Sequence, residues 1–455
     1  MAGISEKKRI WGWWFFDWAS QPYNTLMLTF IFGPWFAQTA AGVMIEGGMA
    51  ETAAKAQAQA MWGYGLTVAG LAIAVLAPIL GAVADSSGRR LPWIWLFSAM
   101  YVVGAYGTWW TAPQDFSAGW ALTMFGIGLI GMEFATIFTN SYLPSLGPRR
   151  ELGRISGSGW AFGYVGGVLA LAIMLALFQA GDNGRTMAGL EPVLGLDPAT
   201  GEGTRAVGPF TAIWYIVFMI PFFLWVRDEP GQGTGTGASA ALRDLWRTLR
   251  GLPRHPSLLA YLGSSMFYRD ALNGMYTFGG IYALGVLDWS IMQIGIFGII
   301  AAISGAVFAW IGGYADRAFG PKPVIVVCCF VLMGTALLIV SLSPTSVMGI
   351  ALPEGSALPS ILFYVAGILI GAAGGALQSA SRNMLTRQGN PARMTEAFGL
   401  YALSGKATSF LAPFLIGLAT DLSGSQRVGA SPLIALFAIG LVMLLWVKPQ
   451  GEDRA

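Results

Sequence analysis

The sequence predicts an all-α membrane protein with twelve transmembrane helices in two pseudo-symmetric six-helix bundles. Of its 455 residues, 55% are hydrophobic and only 11% are charged, and the mean hydropathy is +0.61. A soluble domain carries about a quarter charged residues, so most of this surface must face lipid. Apolar runs of membrane-spanning length recur along the chain, and one loop pattern occurs in both halves.

The apolar runs define the predicted helices, which we call spans 1 to 12. Each is about long enough to cross a hydrocarbon core of ~30 Å. Their predicted ranges are 10–37, 60–84, 91–111, 117–142, 153–179, 209–226, 257–286, 290–315, 323–342, 358–385, 395–420 and 431–448. Span 1 follows Lys7, Lys8 and Arg9 and is too long for the apolar part of a signal peptide, so we expect it to be retained.

Lysine and arginine predict the orientation. With the N-terminus inside, about twenty of them fall in inner segments and about four in outer ones. We therefore expect an integral protein of the bacterial cell (inner) membrane with both termini cytoplasmic.

Three regions follow from this layout: an N-terminal bundle over 1–226, a cytoplasmic linker over 227–256 and a C-terminal bundle over 257–455. The linker opens with a flexible Gly/Thr stretch, Gly231 to Gly237. Apolar residues then recur at helical spacing opposite three arginines, which predicts an amphipathic helix on the anionic inner leaflet. The apolar residues are Leu242, Leu245, Trp246 and Leu249, and the arginines are Arg243, Arg247 and Arg250. A solvated connector helix is the alternative.

The repeated loop pattern follows spans 2 and 8 and predicts two gating loops. The first copy contains Gly81, Asp85, Gly88, Arg89 and Arg90; the second contains Gly312, Asp316 and Arg317. A glycine lets a neighbouring helix approach closely. An aspartate accepts hydrogen bonds from a helix N-terminus or an arginine, and so could latch the inner side shut. The second copy has one more residue between its aspartate and the next glycine, and ordinary inner-loop turns are the alternative for both. This pattern resembles the signature loop of the major facilitator superfamily.

Five charged residues fall well inside predicted spans: Asp17, Glu133, Arg269, Asp270 and Lys406. Each costs about 2.5–3.5 kcal/mol at the bilayer centre unless it faces a cavity or a partner. One interpretation is a substrate and proton pathway that also includes Asn273 and Gln378, with Asp270 and Glu133 as leading coupling residues. The other is structural ion pairing, for example of Glu133 with Lys406 or with Arg269. Arg269 and Asp270 are consecutive, so they point about 100° apart on a helix.

Several longer stretches resemble the branch of the superfamily that contains the fungal vacuolar amino-acid effluxers linked to autophagy and their bacterial relatives. They are Phe16-Asp17-Trp18-Ala19-Ser20, the glycine-rich 153–167, Gly374 to Arg382, and Phe398 to Lys406. The resemblance implies the major facilitator fold and efflux of an amino acid or similar small solute. Two positions depart from it: Arg269-Asp270-Ala271 replaces the usual Asn-Asp-Gly, and Pro22 replaces a small residue.

These features together predict a secondary active transporter that moves a small solute by alternating access and is driven by protons, with sodium left open. The expected partners are the small-molecule substrate, membrane lipid and protons, without nucleic acid, and the chain is expected to be a monomer. One histidine, His255, argues against zinc sites and Ser-His-Asp triads, and no cofactor is predicted. Without a phosphate-binding loop, an ATP-driven pump is disfavoured. A transporter-like receptor without flux and a membrane-embedded lipid-modifying enzyme are the alternatives.

Overall fold

The computed structural model describes residues 4–452 apart from 182–183, 229–237, 288, 290 and 354, so the predicted Gly231–Gly237 stretch lies outside the described residues. The α-helices of the described part are α1 (Glu6–Pro22), α2 (Phe32–Glu46), α3 (Glu51–Ser87), α4 (Leu91–Gly107), α5 (Ala118–Asn140), α6 (Leu152–Ile173), α7 (Glu202–Arg205), α8 (Val207–Trp225), α9 (Ala238–Gly251), α10 (Pro256–Leu287), α11 (Ile291–Phe319), α12 (Pro321–Ser341), α13 (Leu358–Gln388), α14 (Met394–Ala407), α15 (Leu411–Ser423), α16 (Gln426–Gly429) and α17 (Pro432–Leu444). Three two-residue strands pair antiparallel between α12 and α13: β1 (Leu342–Ser343), β2 (Ser346–Val347) and β3 (Ile350–Ala351).

The all-α membrane fold is confirmed. Within the described residues, ten helical segments are long and apolar enough to cross a bilayer, and Leu91–Gly107 is a shorter apolar helix. Span 7 corresponds to the 32-residue helix α10. The boundaries differ from prediction mainly in the first two spans, where helical structure runs over Glu6–Glu46 and α3 begins at Glu51.

Proline interrupts span 1, as its sequence predicts. The helix α1 ends at Pro22, and the next turns, Tyr23–Phe30, are π-helical. Proline has no N–H to donate to the preceding turn, and a wider i→i+5 turn restores the pairing, as in the bond from Ile31 N to Leu26 O at 3.0 Å. The extra residue in each turn shifts the side chains that follow around the helix axis.

The chain divides into two compact units. Unit 1 comprises Met1–Leu76, Gly88–Thr139 and Phe162–Gly233. Three tyrosines pack in its interior: the rings of Tyr101 and Tyr215 stack at 3.9 Å and those of Tyr23 and Tyr101 meet edge-on at 5.0 Å. The Tyr23 hydroxyl donates to the Phe125 carbonyl at 2.6 Å, so burial leaves this polar group paired.

Glycines on α6 bring it against α1 in unit 1. A Cβ at Gly163 would lie 3.1 Å from the carbonyl oxygen of Asp17, and one at Gly166 would meet Trp18 at 2.9 Å. Gly167 faces Gln21 in the same way. Small residues at such spacing allow close helix contact in a membrane.

Unit 2 comprises Ala77–Ser87, Asn140–Ala161 and Thr234–Ala455. It therefore groups the end of α3 and the connection from α5 to α6 with the helices from α9 onward. Within it, α11 and α13 pack through glycines: a Cβ at Gly375 would lie 2.5 Å from the carbonyl oxygen of Gly305. The boundaries 1–226, 227–256 and 257–455 stay a prediction.

We expect Gly375→Ala to destabilise the protein by about 1–3 kcal/mol, because the added methyl group forces two packed backbones apart. Thermal unfolding of the purified protein in detergent measures this. Gly334→Ala on α12 is the matched control, since a Cβ there meets nothing within 4 Å, and we expect an unchanged or slightly raised melting temperature. Equal melting temperatures for the two variants would contradict the packing argument.

Candidate gate and transport site

The aspartates of both repeated loops are buried, and both lie in unit 2. The exposed fraction is 5% for Asp85 and 0% for Asp316. A buried carboxylate requires hydrogen-bond or charged partners, and the two aspartates find different ones.

Asp85, on the last turn of α3, caps the N-terminal end of α14. Its Oδ2 accepts the amide of Glu396 at 2.8 Å. Gly81 makes the approach possible, since a Cβ there would lie 2.6 Å from the carbonyl oxygen of Thr395. Gly399 faces the carbonyl of Ala77 equally closely. A carboxylate at a helix N-terminus satisfies an otherwise unpaired N–H and interacts favourably with the helix dipole.

Asp316, near the end of α11, is held by side chains of α13 instead. The amide of Asn383 donates to both carboxylate oxygens at 2.8 and 3.0 Å, and Arg387 lies 3.9 Å away. The start of α6 packs directly over this group, since a Cβ at Gly153 would lie 2.6 Å from Asp316 Oδ1. The additional residue in this loop lets Gly320, at φ +87°, donate to the Asp316 carbonyl and end α11.

Arg317 forms an ion pair that the sequence did not reveal. Its guanidinium lies 2.7 Å from Glu151, which also accepts from Arg154 at 2.9 Å. Glu151 immediately precedes α6, and in the sequence its residue type and position resemble those of any solvated loop carboxylate.

Arg382 makes the most extensive contacts in this region, and it was predicted only as an inner-loop charge. The structure buries it on α13 with 4% exposed. It donates to the hydroxyl and carbonyl of Ser156 at 2.9 and 2.7 Å and to Asn140 at 3.1 Å, and it lies over the ring of Trp160. We call the contacts of Asp85, Asp316, Arg317 and Arg382 the gate cluster.

The remaining loop residues serve other contacts. Gly88 adopts φ +64° and ends α3. In unit 1, the backbone N–H groups of Arg90 and Leu91 donate to Asp228 at 3.0 and 3.2 Å, which caps α4. Arg89 is exposed, and Gly312 packs on Ala376 of α13.

The predicted pathway residues are distributed over both units. In unit 1, Asp17 on α1 and Glu133 on α5 are half-buried, and both make further interactions. Unit 2 holds the other members: Arg269, Asp270, Asn273, Gln378 and Lys406. Asn273 is exposed, and Gln378 on α13 is half-buried.

Span 11 is broken in the middle, which was not predicted. The helix α14 ends at Ala407 and α15 begins at Leu411. Pro413 in the first turn of α15 has no N–H to continue the preceding helix. The break leaves the amide of Ala412 without a partner in its own helix.

Asp270 supplies that partner. Its Oδ2 accepts the Ala412 amide at 2.8 Å. The side chain is 2% exposed, and among the described residues Oδ1 has no hydrogen-bond partner. One carboxylate oxygen thus holds the start of α15 while the other is buried and unsatisfied.

Arg269 contacts the other side of the same break. Its guanidinium donates to the Tyr401 carbonyl at 2.9 Å and lies over the Tyr401 ring at 4.0 Å. It packs where Gly405 leaves room, since a Cβ there would lie 2.7 Å from an Arg269 nitrogen. Arg269 therefore holds α14 and Asp270 holds α15, consistent with the predicted divergence of consecutive side chains.

Lys406 lies in the last turn of α14, beside the break. Its carbonyl accepts the hydroxyl of Ser409 at 3.0 Å. The C-terminal end of a helix favours a cation. The half-buried Lys406 also makes further interactions.

Comparison with known proteins identifies relatives of this arrangement. A family model described as vacuole effluxer Atg22 like matches residues 5–454. The uncharacterized MFS-type transporter YxiO of Bacillus subtilis is 24% identical and is covered over 94% of its length by 96% of this chain. Autophagy-related protein 22-1 of Neosartorya fischeri is 24% identical over 66% of this chain, and the match spans 49% of that protein. The chain thus spans about half the length of this fungal relative.

Solved structures confirm the fold. The major facilitator transporter FucP in its outward conformation has a TM-score of 0.70 at 13% identity, covering 97% of this chain and 99% of that one. The proton:xylose symporter XylE has a TM-score of 0.66 at 12% identity, with coverages of 97% and 94%. With the family match over nearly the whole sequence, the chain belongs to the Atg22-like effluxer family of major facilitator transporters, and it is a membrane transporter rather than an enzyme.

Proposed function

We propose that this transporter is proton-coupled and exports an amino acid or similar small zwitterion by alternating access, with both termini in the bacterial cytoplasm. The orientation rests on the distribution of lysine and arginine. Proton coupling rests on one observation: Asp270 is a buried membrane carboxylate with one oxygen on the start of α15 and the other unsatisfied.

Proton binding at the Asp270 carboxylate weakens the hydrogen bond that holds the start of α15. The ionised group makes a charge-assisted bond to Ala412 and interacts with the helix dipole. Protonation of Oδ1 removes the charge and leaves a weaker, neutral bond. The surrounding helices carry further charged and titratable groups, among them Arg269, Tyr268 and Tyr276 on α10, Tyr401 and Lys406 on α14, Asp421 on α15 and Arg427 on α16, while Pro432–Leu444 of α17 contains none.

The helix α14 connects this carboxylate to the gate cluster. Its N-terminal end is capped by Asp85, and Arg269 holds it at the Tyr401 carbonyl and packs on Gly405 near its C-terminal end. Fourteen residues of α-helix extend about 21 Å, so a change at the break is transmitted as movement of one short rigid segment. We propose that protonation loosens the break and allows α14 to leave Asp85.

The substrate class follows from the mixture of charges near the break. Arg269 and Lys406 suit a carboxylate, and Asp270 suits an amine. The direction of transport rests on the family, which is described as vacuole effluxers. A cavity whose charges neutralise one another and that carries an uncharged solute is the alternative.

Counterflow in proteoliposomes tests transport and substrate together. Candidate amino acids, peptides and sugars are first ranked by thermal stabilisation of the purified protein. The best are then tested as labelled solutes under a pH gradient, a sodium gradient and no gradient. Accumulation that follows the pH gradient supports the proposal. Stabilisation without flux would indicate a receptor, and accumulation that follows sodium alone would reject proton coupling.

Asp270→Asn should abolish proton-driven accumulation and preserve solute exchange. Asparagine keeps an acceptor for the Ala412 amide, so the break stays capped, but it binds no proton. We expect accumulation to fall at least about tenfold and its pH dependence to become flat, while exchange changes by less than about threefold. Asp421→Asn, at an exposed carboxylate of α15, is the control. Unchanged pH dependence in Asp270→Asn would exclude Asp270 as the proton site.

Asp85→Ala should open the gate cluster more often. Losing a helix N-cap costs about 0.5–2 kcal/mol, so we expect the open fraction to rise about twofold to thirtyfold. A cysteine at the buried Ala84, in a Cys328→Ala, Cys329→Ala background, reports opening through its labelling rate with an impermeant thiol reagent. Asp115→Ala in an exposed loop is the control. Equal labelling rates in all three proteins would mean that Asp85 does not latch the gate.

A further inference from the structure

The linker helix α9 packs against the rest of unit 2 along one strip of its surface. Ala241 and Leu245 are 4% and 5% exposed. On the same strip, Asp244 accepts a hydrogen bond from Arg393 at 3.0 Å, and Thr248 accepts one from the same arginine at 3.3 Å. Arg393 immediately precedes α14. The strip therefore fastens the linker helix to the end of α14 that Asp85 caps.

The outward side of α9 carries two further strips. At about 100° per residue, Leu242 and Trp246 lie next to each other and are 42% and 54% exposed. Beside them lies a basic strip of Arg243, Arg247 and Arg250, all exposed, in which the Arg250 guanidinium lies over the Trp246 ring at 4.9 Å. The sequence places the four apolar residues on one side; the structure instead turns Leu245 into the protein and leaves Trp246 outside.

We propose that this outward side binds anionic phospholipid and that the lipid stabilises the closed gate cluster. Exposed apolar side chains bordered by arginines are the pattern of a helix lying in a membrane interface. The tryptophan and leucine would enter the acyl boundary, and the guanidinium groups would bind headgroup phosphates as bidentate donors. Juxtamembrane arginines attract anionic lipid in this way.

Asp244 transmits lipid binding to the gate. It is shared between two arginines: Arg247 of the outward strip at 2.9 Å and Arg393 at 3.0 Å. A headgroup that takes Arg247 leaves Asp244 to Arg393, which strengthens the attachment of α9. Arg393 also lies 3.9 Å from Glu396, whose amide Asp85 caps. The inference uses the gating role proposed for Asp85 and is independent of the substrate and of proton coupling.

Distance measurements in nanodiscs test this proposal. Spin labels at the exposed positions Ser87 and Ala392, in the Cys328→Ala, Cys329→Ala background, report the separation of the end of α3 from the start of α14. The discs contain phosphatidylcholine with rising fractions of phosphatidylglycerol, so both leaflets are equivalent and membrane orientation does not matter. We expect the ratio of the short to the long distance population to rise about fivefold.

Variants separate lipid binding from its transmission. Arg243→Gln, Arg247→Gln and Arg250→Gln together should remove the response, and the corresponding triple lysine variant, which keeps the charge but not the bidentate geometry, should retain part of it. Asp244→Asn should keep phosphatidylglycerol bound, as seen by native mass spectrometry, but lose the change in distance. An equal response in the wild type and the triple glutamine variant would overturn the proposal, as would a full response to inorganic phosphate in phosphatidylcholine discs.

Asp85→Ala in the same labelled protein distinguishes the two proposals. If it lengthens the distance while phosphatidylglycerol has no effect on the wild type, the lipid inference fails and the latch stands. If it leaves the distance unchanged while phosphatidylglycerol shortens it, the latch fails, and the lipid acts through Arg393 without Asp85.

Discussion

Span 11 depends on two carboxylates that come from other helices. Asp85 accepts the amide of Glu396 at the start of α14, and Asp270 accepts the amide of Ala412 at the start of α15. Inside a bilayer no water is available to satisfy a broken helix, and each unpaired N–H costs several kcal/mol. The break can therefore persist only while α10 supplies an acceptor. This makes the length and position of α14 a consequence of two side chains.

The two copies of the loop pattern hold their aspartates through different kinds of partner. Asp85 meets a backbone amide, so its partner depends on where a helix begins; Asp316 meets Asn383 and Arg387, so its partners are side chains. A capping bond is lost as soon as the helix end moves, whereas long side chains can follow a moving partner. If the loops act as the proposed latches, the first responds more sharply to movement, and the linker helix is fastened at that same helix end through Arg393.

The sequence predicts the spans well because lipid imposes a strong requirement on composition and length. It also identifies Asp85 and Asp316, since an aspartate repeated in equivalent loops is unlike a random surface charge. It does not predict their partners, because Asp85 and Glu396 are separated by 311 positions and Asp316 and Asn383 by 67, and nothing local links them. In the sequence, Pro413 marks the break in span 11, but a hydropathy average over the whole span does not reveal it.

Some of the arginines that predict the membrane orientation also make buried contacts between helices. Arg382 and Arg387 count among the inner positive charges, yet both are buried on α13 against Ser156 and Asp316. Part of the inner excess of arginine therefore belongs to the gate cluster rather than to loops at the membrane surface. Arginines at the predicted inner ends of the helices therefore also hold helices together.

Arg269 shows how a departure from the family pattern can be accommodated. The branch that this sequence resembles usually has asparagine there, a shorter side chain than arginine. In this chain the guanidinium extends to the Tyr401 carbonyl and ring, and Gly405 provides the space it occupies. An arginine fixed in this way leaves part of its donor set for a carboxylate. In the proposed function, the same residue would hold α14 and bind the acidic end of a solute, so that solute binding would act directly on the break.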